Sequence, residues 1–254
     1  MLNSVEDVLL VIAIVAFSLL FMIAINHFWP AEKRSAHNEI IGWQLSVLGT
    51  TYAVILGFML YTVWTNFGLA AMNADSEANS LLNVYRLADG LPDEQRAELK
   101  DLARLYANVV VEQDWPGMAD SIGVSLKSRE VSVKMWQTLM SVKAASPAEL
   151  TAEDHALYEL SEMTEHRQMR QIQCNDTLPT VLWFVLIIGG AVTIMSSCLF
   201  GSKNTWLHGL QVFAFSLLIG LVLVAVADID RPFQGSVHVS DLAFLRAQLN
   251  MQSQ

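Results

Sequence analysis

Residues 8–28 read VLLVIAIVAFSLLFMIAINHF, a run without a single Asp, Glu, Lys or Arg. A helix rises about 1.5 Å per residue, so this stretch spans the ~30 Å hydrocarbon core of a bilayer. The uncharged run continues from Asp7 to Glu32. A cleavable secretory leader carries a basic n-region and a short apolar core. Here the flank is Glu6-Asp7 and the apolar core is long. The stretch is therefore expected to remain as a transmembrane helix.

Three further stretches have the same character: about 41–65, 181–200 and 207–227. Trp29, Trp43, Tyr61, Trp64, Trp183 and Trp206 stand near their ends, where amphipathic rings favour the bilayer interface. The whole chain agrees. Of 254 residues, 53% are hydrophobic and 16% charged, and the mean hydropathy is +0.39. A typical soluble domain has about 45–50% and about 25%. No acidic or basic residue lies inside a span, which argues against a proton pump, an ion-coupled carrier or a voltage sensor.

The formal charge is −10, and Lys and Arg do not cluster, so nucleic acid is excluded as a partner. Cys174 and Cys198 flank the third apolar stretch and are expected at opposite membrane faces, too far apart for a disulfide. His27, His37, His155, His166, His208 and His238 show no metal-ligand spacing, and no nucleophile–base grouping can be proposed. The expectation is a non-enzyme without metal or cofactor.

Between the second and third spans lies a segment rich in Glu, Gln, Ala, Leu and Arg that reads as helical throughout. One helix continues out of the second span and ends at Gly90-Leu91-Pro92. Another runs from Asp93 to Gln113 with the stripe Leu99, Leu102, Tyr106 and Val109/Val110, and Trp115-Pro116-Gly117 breaks it. A third covers about 128–142. A fourth starts near Pro147 and carries Leu150, Leu157, Leu160 and Met163. This segment holds 18 of the 25 acidic residues and 10 of the 15 basic ones, a solvated face rather than a binding patch. The fold class is thus an all-α membrane protein: four transmembrane helices with a helical extramembrane bundle inserted between spans two and three. The divisions are 1–65, 66–178, 179–229 and 230–254, the last a turn followed by an amphipathic helix. Ser240 is its expected cap, and Leu242, Leu245 and Leu249 its apolar face.

Parity puts both termini and the insert on one side of the membrane. Lys33, Arg34 and Lys203 lie on the other, against Arg167, Arg170, Arg231 and Arg246 on the first, so basic-residue counts do not settle the orientation.

The second span has two distinct faces. Gly42, Ser46, Gly49, Ala53 and Gly57 recur at helical spacing, a small-residue face suited to close helix packing. Gln44, Leu48, Thr51, Ile55, Phe58, Thr62 and Thr65 form the other, polar at its ends and bulky in the middle. A pore wall with a hydrophobic constriction at Ile55 and Phe58 has that pattern, and so does a span whose threonines bond back to their own helix. Elsewhere, Glu77 is expected to pair with Arg167 or Arg170, with Asp75 within reach, as a structural ion pair. Asp228, Asp230 and Arg231 follow the fourth span, where they either anchor the chain or hold an ion.

Several of these residues carry a resemblance. The chain resembles the bacterial bestrophin-like domain family in Leu48-Gly49, Tyr52, Leu56-Gly57-Phe58, Glu77-Ala78, Leu105-Tyr106, Glu112 through Trp115-Pro116, Arg167 with Arg170, and Pro179. The most specific piece is Asp230-Arg231-Pro232-Phe233-Gln234-Gly235. The resemblance implies a bestrophin plan, in which pentameric channels, mostly for anions, are lined by span two and carry the insert in the cytoplasm. The calcium-binding acidic run of true bestrophins is reduced here to Asp228 and Asp230, which removes the warrant for calcium gating. The expectation is a homo-oligomeric inner-membrane ion channel, lined by Gln44, Thr51, Ile55, Phe58 and Thr62. Its partners would be the lipid bilayer and inorganic ions. The rival is a non-conducting scaffold or sensor whose insert docks a soluble partner.

Overall fold

A computed structural model describes residues 4–120 and 122–253, and no strand occurs among them. Ten α-helices follow one another: α1 Ser4–Phe28, α2 Ala31–Ser35, α3 Asn38–Leu87, α4 Asp93–Val109, α5 Trp115–Ala119, α6 Leu126–Met140, α7 Pro147–Asn175, α8 Thr180–Cys198, α9 Thr205–Ile229 and α10 Leu242–Gln252. They divide into two compact units, Met1–Thr65 with Thr177–Asp230, and Asn66–Asp176 with Arg231–Gln254. The border falls within α3.

The first unit contains four helices long and apolar enough to cross a membrane: α1, α3, α8 and α9. α1 packs along α9 and α8, and α8 along α9. Met22, Tyr52, Leu56, Leu186, Ile194, Val212 and Ile219 form the centre. Tyr52 keys α3 to α8: its hydroxyl donates to the Leu186 carbonyl at 2.9 Å. Its ring lies so close to α8 that a Cβ on Gly189 or Gly190 would approach it to 2.8 Å. The outside of this unit is as apolar as its core. Ile12, Phe17, Leu20, Phe184, Ile187 and Leu218 all point outward. Such a surface suits hydrocarbon rather than water.

The connectors at one end are more ordered than a charged loop would be. Arg34 was expected to carry a loop charge, but it is fully buried. It donates to the Cys198 carbonyl at 2.8 Å and to Asn26. The reason is the free C-terminal carbonyls of α8, which favour a cation. Beside it the Asn38 carboxamide both donates to and accepts from the backbone of Gly201, at 2.8 Å each. A Cβ on Gly201 would lie 2.5 Å from the Ser35 nitrogen, so this contact requires glycine. At the other end, Asp230 accepts from the Leu178 amide at 2.9 Å.

The second unit packs α4, α6, α7, α10 and the part of α3 from Asn66 around Leu81, Tyr85, Leu99, Tyr106, Met135, Leu160 and Phe244. Three expectations shift here. Trp115-Pro116-Gly117 does not break α4. The chain passes through a π-helical turn, Val110–Asp114, directly into α5. Pro116 stands in the first turn of α5, where no amide is needed. α10 begins at Leu242 with Asp241, not Ser240, at its N-cap position, and the Ser240 hydroxyl one residue earlier accepts from the Leu242 amide at 3.2 Å. Its buried face is Phe244, Ala247 and Met251, while Leu242 and Leu249 are exposed. The two stripes share one spacing, and the one that carries an aromatic ring goes inward. Leu150 of α7 is also exposed.

Candidate functional site

The expected pore-lining residues lie on a span that the rest of its unit covers least. The most apolar window of α3 is 17% buried, against 39% for α8. Gln44, Thr51 and Phe58 are exposed, Phe58 at 63%. Ile55 and Thr62 are half-buried, and Ile55 packs partly against the unit's core. The Thr62 hydroxyl donates to the Phe58 carbonyl and that of Thr65 to Tyr61, both at 2.9 Å. Two threonines thus bond back to their own helix.

The small-residue face stays open within its own unit. At Gly49 and Gly57 nothing lies within 4 Å of where a Cβ would stand, and Gly42 meets only the Phe200 ring at 3.6 Å. The close approach to α8 is made instead by Tyr52 against Gly189 and Gly190. Tertiary contact therefore selected a face with one aromatic residue, and left the glycines open.

In the second unit the structure joins Glu77 to Arg170. Both side chains are fully buried. Arg170 Nε donates to Glu77 Oε2 at 2.7 Å, and a second nitrogen donates to Oε1 at 2.9 Å, a bidentate pair. The Tyr106 hydroxyl donates to the same Glu77 oxygen at 2.6 Å. Arg170 also meets Asp114 at 3.2 Å, a partner that sequence reasoning missed. The π-helical turn places Asp114 in the interior, where the Ser125 amide donates to it at 2.8 Å. One signal could have found it: Asp114 continues the stripe of Tyr106 and Val110 at a four-residue step. Arg167 is buried too, but its contact is the Ser128 hydroxyl at 3.4 Å rather than a carboxylate. Asp75 stays outside the cluster, on the exposed side of α3.

Charge and burial compete in this cluster. Burial alone would lower the pKa of Arg170, but Glu77, Tyr106 and Asp114 raise it above its usual value, so the guanidinium stays charged. Burial also pushes the Tyr106 phenol well above its ordinary range, and the neighbouring Glu77 adds to this. For Asp114 burial again wins: its pKa is raised, although Arg170, the Ser125 amide and Ser128 offset part of the rise. The arrangement holds charges in place. Among the described residues no group of three His, Cys, Asp or Glu could hold a metal ion.

The Asp-Arg-Pro-Phe-Gln-Gly string forms the turn its composition demands. Asp228 and Asp230 are half-buried and Arg231 is exposed. The Gln234 amide donates to the Arg231 carbonyl at 3.0 Å, the Val239 amide to Pro232 at 2.7 Å, and Gly235 adopts a φ of 80°. Phe233 meets Trp115 edge-on at 5.8 Å, and Trp115 donates to the Val239 carbonyl. Gln234 donates to the Met118 carbonyl at 3.2 Å. The Arg170 guanidinium lies 5.3 Å from the Trp115 ring, so the turn packs one aromatic layer away from the ionic cluster.

Residues 12–244 match the family model described as Bestrophin-like domain. Crystal structures of a bacterial bestrophin homologue from Klebsiella pneumoniae have the same fold. One is 13% identical over 96% of this chain and 98% of its own, with a TM-score of 0.72. A variant of that homologue is 14% identical over 96% and 99%, also with a TM-score of 0.72. The crystal structure of a further membrane-protein variant is 13% identical over 96% and 99%, with a TM-score of 0.70. No curated protein matches the chain at a significant level.

Proposed function

The chain belongs to the bestrophin-like family, and from that premise we propose that it forms a homo-oligomeric ion channel in a bacterial inner membrane. Five subunits surround a central pathway, with the insert and both termini in the cytoplasm. Gln44, Thr51, Ile55, Phe58 and Thr62 of α3 line the pathway, and Ile55 and Phe58 form its constriction. One observation carries this reading. A membrane-spanning helix with 17% of its apolar window buried presents a face of neutral polar groups and a 63%-exposed phenylalanine that nothing in its own unit covers. Anions are the favoured ions, as the resemblance to bestrophins implies. Glu77, Arg167 and Arg170 then serve as structural groups, and Asp228, Asp230 and Arg231 as a chain anchor rather than an ion site.

Purified protein in a planar bilayer under a KCl gradient tests the proposal. A reversal potential displaced from zero toward that of chloride is the expected result. Phe58→Ala should raise conductance on the order of two- to tenfold by widening and wetting the constriction. Silent bilayers containing folded, inserted protein would favour a non-conducting scaffold instead. Unchanged conductance in the Phe58 variant would remove that residue from the constriction.

A further inference from the structure

In the second unit, α3 and α10 enclose a recess of about 270 Å³. Its walls are oppositely charged. Asp75 and Asn79 stand one turn apart on α3, and Arg246 and Asn250 face them from α10. The floor is aliphatic, made by Leu82 and by the alanines 243 and 247, whose short side chains keep the trough open. Among the described residues neither Asp75 nor Arg246 makes an ion pair, although they line the same recess with opposite charge. One N–H of the Asn250 carboxamide donates to the Arg246 carbonyl, and its oxygen is an acceptor. The α10 wall is held in place. Tyr85 and Arg104 both donate to the Met251 carbonyl, at 2.9 and 3.1 Å, and Gln248 donates to Asn108 at 2.8 Å. The recess is therefore preformed, which lowers the ordering cost of binding.

We infer that this recess binds a small zwitterion of the amino-acid class. The carboxylate docks on the Arg246 guanidinium, a planar fork matched to two oxygens. The ammonium lies against Asp75 and the carboxamide oxygens, and the ligand's carbon body covers the Leu82 and alanine floor. Charge excludes the simpler ligands. Asp75 repels phosphate, and Arg246 repels a divalent cation. The volume lies just under the usual range of about 300–1,000 Å³ for drug-sized ligands, which suits a molecule of few atoms.

The test is titration calorimetry on the full-length protein in nanodiscs, using the twenty common L-amino acids and β-alanine as probes. Acetate and ethylammonium serve as half-ligand controls. At least one amino acid should bind saturably, and each half-ligand at least about tenfold more weakly. Asp75→Asn and Arg246→Gln should each weaken that binding about tenfold or more, with melting temperatures unchanged because both side chains are exposed. Should either variant fail to fold, Ala243→Leu keeps both charges, fills the trough and should abolish binding. No saturable binding by any probe, or binding indifferent to these substitutions, overturns the inference. Calorimetry reads this site whether or not the bilayers conduct, so its failure is separate from failure of the channel reading.

Discussion

Each unit buries one arginine completely, and the two are compensated in different ways. Among the described residues Arg34 in the first unit meets neutral dipoles, the Cys198 carbonyl at the end of α8 and the Asn26 carboxamide. Arg170 in the second meets two carboxylates and a methionine sulfur. The difference reflects what surrounds each unit. Bringing whole carboxylates into a unit clad in hydrocarbon adds desolvation that a helix end avoids, because its carbonyls are already present and already oriented. The second unit has an aqueous outside, so it can commit full counter-ions to a core position and gain a defined register of α3, α7 and the π-helical turn.

That contrast breaks most visibly at Arg170. Arg170→Met leaves Glu77 and Asp114 as buried, uncompensated carboxylates and should cost about 3–5 kcal/mol, measured by denaturant unfolding in detergent. Arg34→Met strands no opposite charge and should cost less, about 1–3 kcal/mol in the same assay, for the lost hydrogen bonds to Cys198 and Asn26. Equal losses would mean that the carboxylates contribute nothing special to the second unit.

The smallest effect concerns pH. The Asp114 pKa is raised in the folded protein, so the folded state holds its proton at pH values where the unfolded chain has released it. Stability from this group is therefore lost as pH rises above its ordinary value of 3.8, the reverse of an ordinary paired carboxylate. Asp114→Asn should flatten that part of the stability–pH curve while Arg34→Met leaves it unchanged. A curve that keeps its slope in the asparagine variant would assign the proton elsewhere.

Much of the architecture is legible in the sequence. Four apolar runs set four spans, because length and absence of charge are local properties that a bilayer reads directly. Gly90-Leu91-Pro92 ended α3 as expected, and Glu77 and Arg170 form an ion pair. Other features were not legible. Trp115-Pro116-Gly117 looked like a break because Pro excludes helix interiors, yet a π-helical turn brings the proline to a first turn where it costs nothing. In α10 two stripes of equal spacing competed, and periodicity cannot rank them. Packing chose Phe244 and Met251 over Leu242 and Leu249. The glycine face of α3 is open within its own unit for a related reason: small residues permit a close approach without stating which helix makes it.

What the amino-acid order determined alone is the set of elements: which stretches must avoid water, which must face it, and where Gly and Pro stop a helix or Ser starts one. These depend on neighbours a few residues apart. Pairing across the chain was decided only by tertiary structure. Arg34 and Cys198 are 164 residues apart and Asp114 and Arg170 are 56, and for Glu77 the fold chose Arg170, 93 residues away, over Arg167. A buried charge takes whatever counter-charge or dipole folding brings within about 3 Å, and no local pattern records which one that will be.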